Sequence, residues 1–140
     1  MANTVYTIFK TNLMNKAVSL VSDSFKIALF SALTITPSDT TYGSLTGATE
    51  TSGTGYTTGG EALVGLSTTS ISGVAVWVST TNPSWTGATF SAAFAVIYDL
   101  SVSNDVVGVI DFGGTQTVSG GTFTISWATS PTAGSILTIS

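Results

Sequence analysis

The chain has 140 residues and a formal net charge of -4, with seven acidic side chains, three lysines (Lys10, Lys16 and Lys26) and no His, Cys or Arg. Missing imidazole, thiol and guanidinium groups exclude the usual general base of hydrolases, thiolate metal sites and disulfides, and three lysines are too few for a basic surface that neutralises nucleic acid phosphates. Charged residues are 7% of the chain, against roughly 25% in an average soluble domain, while Ser and Thr make up about a third, so the surface is hydroxyl-rich and repels neighbouring molecules only weakly.

The length suits one domain, residues 1–140, able to bury a core without disulfides or metal. No apolar run approaches the 18 or so residues of a membrane-spanning helix, so no membrane association is expected. The run Ala17 to Val21 is also shorter than the core of a secretory signal.

In chain order, Val5, Ile8, Phe9, Leu13, Ala17, Leu20 and Val21 recur at three- and four-residue spacing, which predicts one amphipathic helix over about residues 4–21, capped by Asn3 or Thr4. From about residue 25 the period changes to two. Phe25 to Ile35 reads as a strand covered on both faces, as does Val74 to Val78, whereas Phe123, Ile125 and Trp127 alternate with hydroxyl residues as in a strand with one wet face. Further strands are expected near Glu61 to Ser67, Phe90 to Tyr98, Val106 to Phe112 and Ser135 to Ile139. The fold class is therefore mainly β: an antiparallel β-sandwich or open barrel of about seven strands with one N-terminal amphipathic helix. The glycine-rich stretch Thr36 to Gly60 is long enough to read as a functional or interface-forming loop.

No catalytic constellation emerges. Gly53, Gly55, Gly59 and Gly60 lack the Gly-Lys-Ser/Thr ending of a phosphate-binding loop and read as turns that need positive φ. Asp99, Asp105 and Asp111 match no calcium-loop spacing and read as solvated turn carboxylates. Serines have no histidine to activate them, and the other acids have no neighbours to set an acid against a nucleophile. The chain is thus expected to be no enzyme, with no catalytic residue, metal or cofactor. Trp77 and Trp127 fall inside strand patterns as core residues. Trp85, in TTNPSWTG, and Tyr56, in the glycine-rich loop, could stack on a sugar ring or anchor an interface.

A short N-terminal helix is followed by KIALF at 26–30, SGTGYTTGG at 52–60, FAVIYD at 94–99, GVIDFGG at 108–114 and GTFTISW at 121–127. Their order resembles a family of small tailed-phage structural proteins over roughly residues 5–128, while Ser130 to Ser140 departs from the family pattern. The resemblance implies a virion protein, made in the host cytoplasm and placed on the capsid surface as a decoration, or cement, protein. Its implied partners are the major capsid protein and copies of itself in a homo-oligomer. A tail or head-fibre component is the alternative within the virion, and a host-surface glycan-binding module using Tyr56 and Trp85 is the alternative outside that class. In the decoration reading, the N-terminal segment Ala2 to Phe9 or the strand Ile136 to Ile139 reaches across to a neighbour. The candidate inter-subunit contacts are Val5, Tyr6, Ile8, Phe9, Tyr56, Trp85, Ile136, Leu137 and Ile139.

Overall fold

The computed structural model describes residues 3–140. In chain order they form β1 (Asn3–Val5), α1 (Thr7–Met14), β2 (Phe25–Ala32), a 3-10 turn (Tyr42–Ser44), β3 (Thr49–Glu50), β4 (Glu61–Ala62), β5 (Leu66–Ile71), β6 (Val74–Ser79), β7 (Ser84–Asp99), β8 (Asp105–Thr124) and β9 (Ser135–Ile139). One sheet has the order β1-β8-β7-β2-β3, with β4 also on β2, and a three-stranded sheet has the order β5-β6-β9. All pairings are antiparallel, and the sheets curl into a half-barrel.

The β7–β8 hairpin is the spine. Its ladder runs from Asp99↔Asp105 beside the turn to Ser84↔Thr124 at the far end, with register shifts between Trp85 and Ala88, Ala88 and Thr89, Ala92 and Phe94, and Ile97 and Tyr98. Three of the shifts insert one extra residue, and the one between Ala92 and Phe94 sets residues 112–115 of β8 against Ala93 alone; such bulges bend a strand and increase its twist, which is how strands of 16 and 20 residues wrap around a core instead of lying flat.

Alternation along β2 explains the two cores. Phe25, Ile27 and Leu29 face one side with Trp77, Trp85, Phe90, Ile97 and Val107, while Ala28 and Phe30 face the other with Tyr6, Val96, Tyr98 and Val109. The first core lies under the three-stranded sheet and is rich in edge-to-face aromatic contacts, including Phe25–Trp77 at 4.9 Å and Trp85–Phe123 at 5.9 Å between ring centroids. The second is covered by the segment carrying Leu33, Ile35, Tyr42 and Leu45. Burying each of these large side chains contributes about 1.5–3 kcal/mol, so a sheet covered on both faces is the main source of stability.

The N-terminal region departs from the expected helix over 4–21. Residues 3–5 pair with Ile110, Val109 and Gly108, and the helix starts only after Tyr6, whose side chain makes no capping bond. It stops at Met14, where Lys16 adopts a left-handed conformation (φ 58°) and the Ala17 N–H reaches back to the Asn12 carbonyl. Ala17, Leu20 and Val21 therefore keep helical spacing without helix. Instead the Leu20 carbonyl accepts the Trp77 indole N–H at 2.9 Å, tying the α1–β2 connector to the three-stranded sheet. Ala2, part of the N-terminal segment expected to reach a neighbour, lies outside the described residues.

Candidate functional site

The half-barrel leaves a groove of about 670 Å³ between the β1 side of the larger sheet and β9 of the smaller one. Its floor is apolar, with Trp77, Phe112, Phe123, Ile125 and Trp127 among its residues, and Asn3, Gln116, Thr124 and Ser126 add uncharged polar groups. Among the described residues, no charged side chain lines it. The volume falls within the range of small-molecule pockets, but the groove offers few side-chain donors to orient a ligand. The Trp77 indole N–H is already bonded to Leu20, and that of Trp127 donates to the Thr81 carbonyl at 3.0 Å. What borders the groove is backbone. β1 pairs only with β8, and β9 only with β6 except at its first residue, where the Ser135 N–H donates to the Ala128 carbonyl. Among the described residues, the outer edges of both strands are otherwise without a partner strand.

The sequence-derived contact residues divide between the groove and the interior. Val5, Ile136 and Leu137 line the groove, and Ile139, 53% exposed, stands at the end of β9. Tyr6 and Phe9 are enclosed at 0% and 2% exposure, and Ile8 packs half-buried against the second core, so these three serve this subunit's own interior. Trp85 needs a firmer correction: at 1% exposure, opposite Phe123 in the β7–β8 ladder, it is core and offers no face to a sugar or a neighbour. Its indole N–H and the Tyr6 hydroxyl are buried without hydrogen-bond partners. Burial, with the negative charge of Asp39 nearby, pushes the Tyr6 hydroxyl up to about 12.

Tyr56 lies half-buried beside Trp85, with ring centroids 6.3 Å apart, and belongs to a closed polar network. Its hydroxyl donates to Glu50 Oε1 at 2.7 Å and accepts the Leu29 N–H at 2.9 Å. The Gly59 N–H also donates to Oε1, at 2.7 Å, and the Tyr42 hydroxyl donates to Oε2. Tyr98 stacks on Tyr42 at 4.4 Å and donates to the Gly59 carbonyl. Burial raises all three phenols above their ordinary value, and Glu50 reinforces the shift through hydrogen bonds to Tyr42 and Tyr56 and through its charge on Tyr98. Phenols held this firmly in the protonated form act as donors rather than as bases or nucleophiles. The network clamps the glycine-rich loop onto β2, which gives the motif SGTGYTTGG a structural use. At Gly60 (φ +78°) an added Cβ would lie 1.9 Å from the Ile27 carbonyl oxygen, so the loop can seat against β2 only through glycine.

Of the three aspartates, Asp99 differs from the expected solvated turn group. Asp99 is 2% exposed, with Oδ1 accepting the Ser101 N–H at 2.8 Å and Oδ2 buried without a partner. Asp105 lies opposite Asp99 in the ladder and accepts a bond from the Asn12 amide, while Asp111 lies opposite Phe94 and accepts the Gly113 N–H. Among the described residues, no group of three or more His, Cys, Asp or Glu side chains could hold a metal ion.

The sequence reading missed the groove residues Phe112 and Gln116; Trp77 and Trp127, expected in the core, are buried there and also line the groove. The available signal was the alternation of Phe123, Ile125 and Trp127, which marked an apolar face without showing that part of it stays open. Comparison with known protein families, curated proteins and solved structures finds no match for the chain.

Proposed function

We propose that the chain is a non-enzymatic structural protein of a tailed-phage particle, decorating and stabilising the capsid shell through contacts with capsomers and with its own copies. The observation that carries this reading is the uncharged groove bordered by two strand edges, each paired on one side only. Such a site recognises polypeptide: backbone groups on the edge bond an added strand, and the apolar floor takes its side chains. It needs no cofactor and no catalytic group. The order of KIALF, SGTGYTTGG, FAVIYD, GVIDFGG and GTFTISW supports the phage context, and the doubly covered, cross-braced sheet suits a component that must persist on a particle.

The test is immunogold electron microscopy of intact source particles, together with co-sedimentation of the purified chain with shells lacking it. Label over the head and saturable binding to shells are expected. Label confined to the tail would move the protein to a tail or fibre role, and verified exposed epitopes with no label would overturn both virion readings.

A further inference from the structure

Four strand edges flank the two sheets, and they differ in how they meet solvent. The short β3 and β4 lie against β2 under the clamped glycine-rich loop, and β1 continues directly into Tyr6, whose side chain is wholly buried. β5 exposes Ser67, Thr68, Thr69 and Ser70, a run of hydroxyl groups. β9 is different. It carries Ile136, Leu137 and Ile139, contains no charge or proline, and has its register irregularity towards β6 between Trp77 and Val78, leaving the outer edge from Ile136 onwards open beside the groove.

Edge strands that must stay single are usually blunted by lysine, by proline or by a bulge; β9 has neither lysine nor proline, and its one extra residue, Ile136 opposite the Trp77–Val78 step, precedes an unbroken ladder from Leu137 to Ile139. Charge also bears on the choice of partner. Residues 62–98 and 112–140 contain no Asp, Glu, Lys or Arg, so every strand of the three-stranded sheet is uncharged. Pairing two identical edges about a two-fold axis sets each side chain near its own counterpart, which any charge would penalise twice. β9 incurs no such penalty. A basic or acidic partner would find nothing complementary there.

We infer that β9 is a self-association edge: Ile136–Ile139 of one copy pairs antiparallel with the same segment of a second copy, joining two three-stranded sheets into one six-stranded sheet across the groove mouths. This rests on the reading above that the chain works through its own copies, and it names the strand through which they meet.

Sedimentation velocity of the purified full chain at tens of micromolar should show a dimer. Thr138→Lys places an edge-blocking charge at an exposed position and should weaken the dimer at least about tenfold, whereas Thr138→Val should retain it. Equal thermal midpoints for the three proteins would exclude misfolding as the cause. Because the chain has no cysteine, single-cysteine variants at 136–139 report contacts between copies alone. Opposed Cα atoms about 4.5–5.5 Å apart lie within disulfide reach, so one or two adjacent positions should cross-link under mild oxidation while Ser70→Cys on β5 should not. A monomer at all concentrations, a dimer indifferent to Thr138→Lys, or cross-linking through Ser70→Cys instead would overturn the inference. A monomer that still binds shells would overturn self-pairing and leave the decoration role standing; a β9-paired dimer that ignores shells would do the reverse.

Discussion

Asp99 makes the stability of this fold fall with rising pH over a defined window, and Asp99→Asn isolates the effect. Its carboxyl is pushed up to about 6 from an ordinary value of 3.8, chiefly by burial and further by the charge of Asp23, with the Ser101 N–H acting in the opposite direction. A shift of that size corresponds to about 3 kcal/mol at most. Asp23 is half-exposed and already accepts the Ser19 N–H at 2.6 Å, so solvent screens its part and about 1–2 kcal/mol is the expected effect. The sign follows from proton linkage. The folded state holds the proton more tightly than the unfolded chain, so the contribution is complete below pH 3.8 and is lost as pH rises through about 6. Asparagine keeps an oxygen for the Ser101 N–H and cannot ionise. Urea unfolding followed by tryptophan fluorescence from pH 4 to 8 should give nearly equal stabilities for the two proteins at pH 4, with the variant ahead by about 1–2 kcal/mol above pH 7. A stability difference that does not change with pH, or a variant less stable at pH 7.5, would refute the reasoning.

Three further substitutions test the glycine-rich loop and the β8 bend. Gly60→Ala drives a methyl group into the Ile27 carbonyl and should cost more than about 3 kcal/mol or prevent folding, whereas Gly113→Ala, also at positive φ (+76°) but with nothing within 4 Å of the new carbon, should cost only about 1–2 kcal/mol; equal losses in urea melts would contradict the close-approach account. Glu50→Ala removes the acceptor shared by Tyr42, Tyr56 and Gly59 and should cost about 2–4 kcal/mol, with proteolytic nicking appearing first within residues 52–60; an uncut loop at wild-type stability would show that the clamp is dispensable.

Local pattern was enough where a strand's identity is local. Phe25 and the whole span Ser135–Ile139 were placed from alternation and β-branched content, and the antiparallel half-barrel agrees with the open-barrel reading. It failed where distant pairing decides. Asn3–Val5 has no strand signature and becomes β1 only because β8 offers it an edge. The run expected near Glu61 to Ser67 splits because Leu63 bonds back to the Phe25 carbonyl while the Gly65 carbonyl already accepts the Thr80 N–H, so the chain changes sheets in between. Trp85 looked exposed because it sits among turn-forming residues, yet the extension of β7 to Ser84 sets it against Phe123. Spacing shows which face of a strand is apolar, but what covers that face depends on sheet order, and the order β5-β6-β9 is not written in any local pattern.

The acidic residues show how an already low charge content becomes lower still at the surface. Asp39 accepts from the Thr46 backbone and hydroxyl, Asp23 from Ser19, Asp111 from Gly113 and Asp105 from Asn12, while Glu50 and Asp99 hold the glycine-rich loop and the β7–β8 turn. Six of the seven acids accept such bonds among the described residues, so most of the negative charge fastens loops at close range. A carboxylate engaged with backbone N–H groups is neutralised locally and projects a weaker field than a free one. With the three lysines confined to α1, the turn after it and β2, the three-stranded sheet and its open edge lie outside every charged segment. Two such surfaces approach without electrostatic steering and without repulsion, so their association depends on strand geometry and apolar fit and should change little with salt.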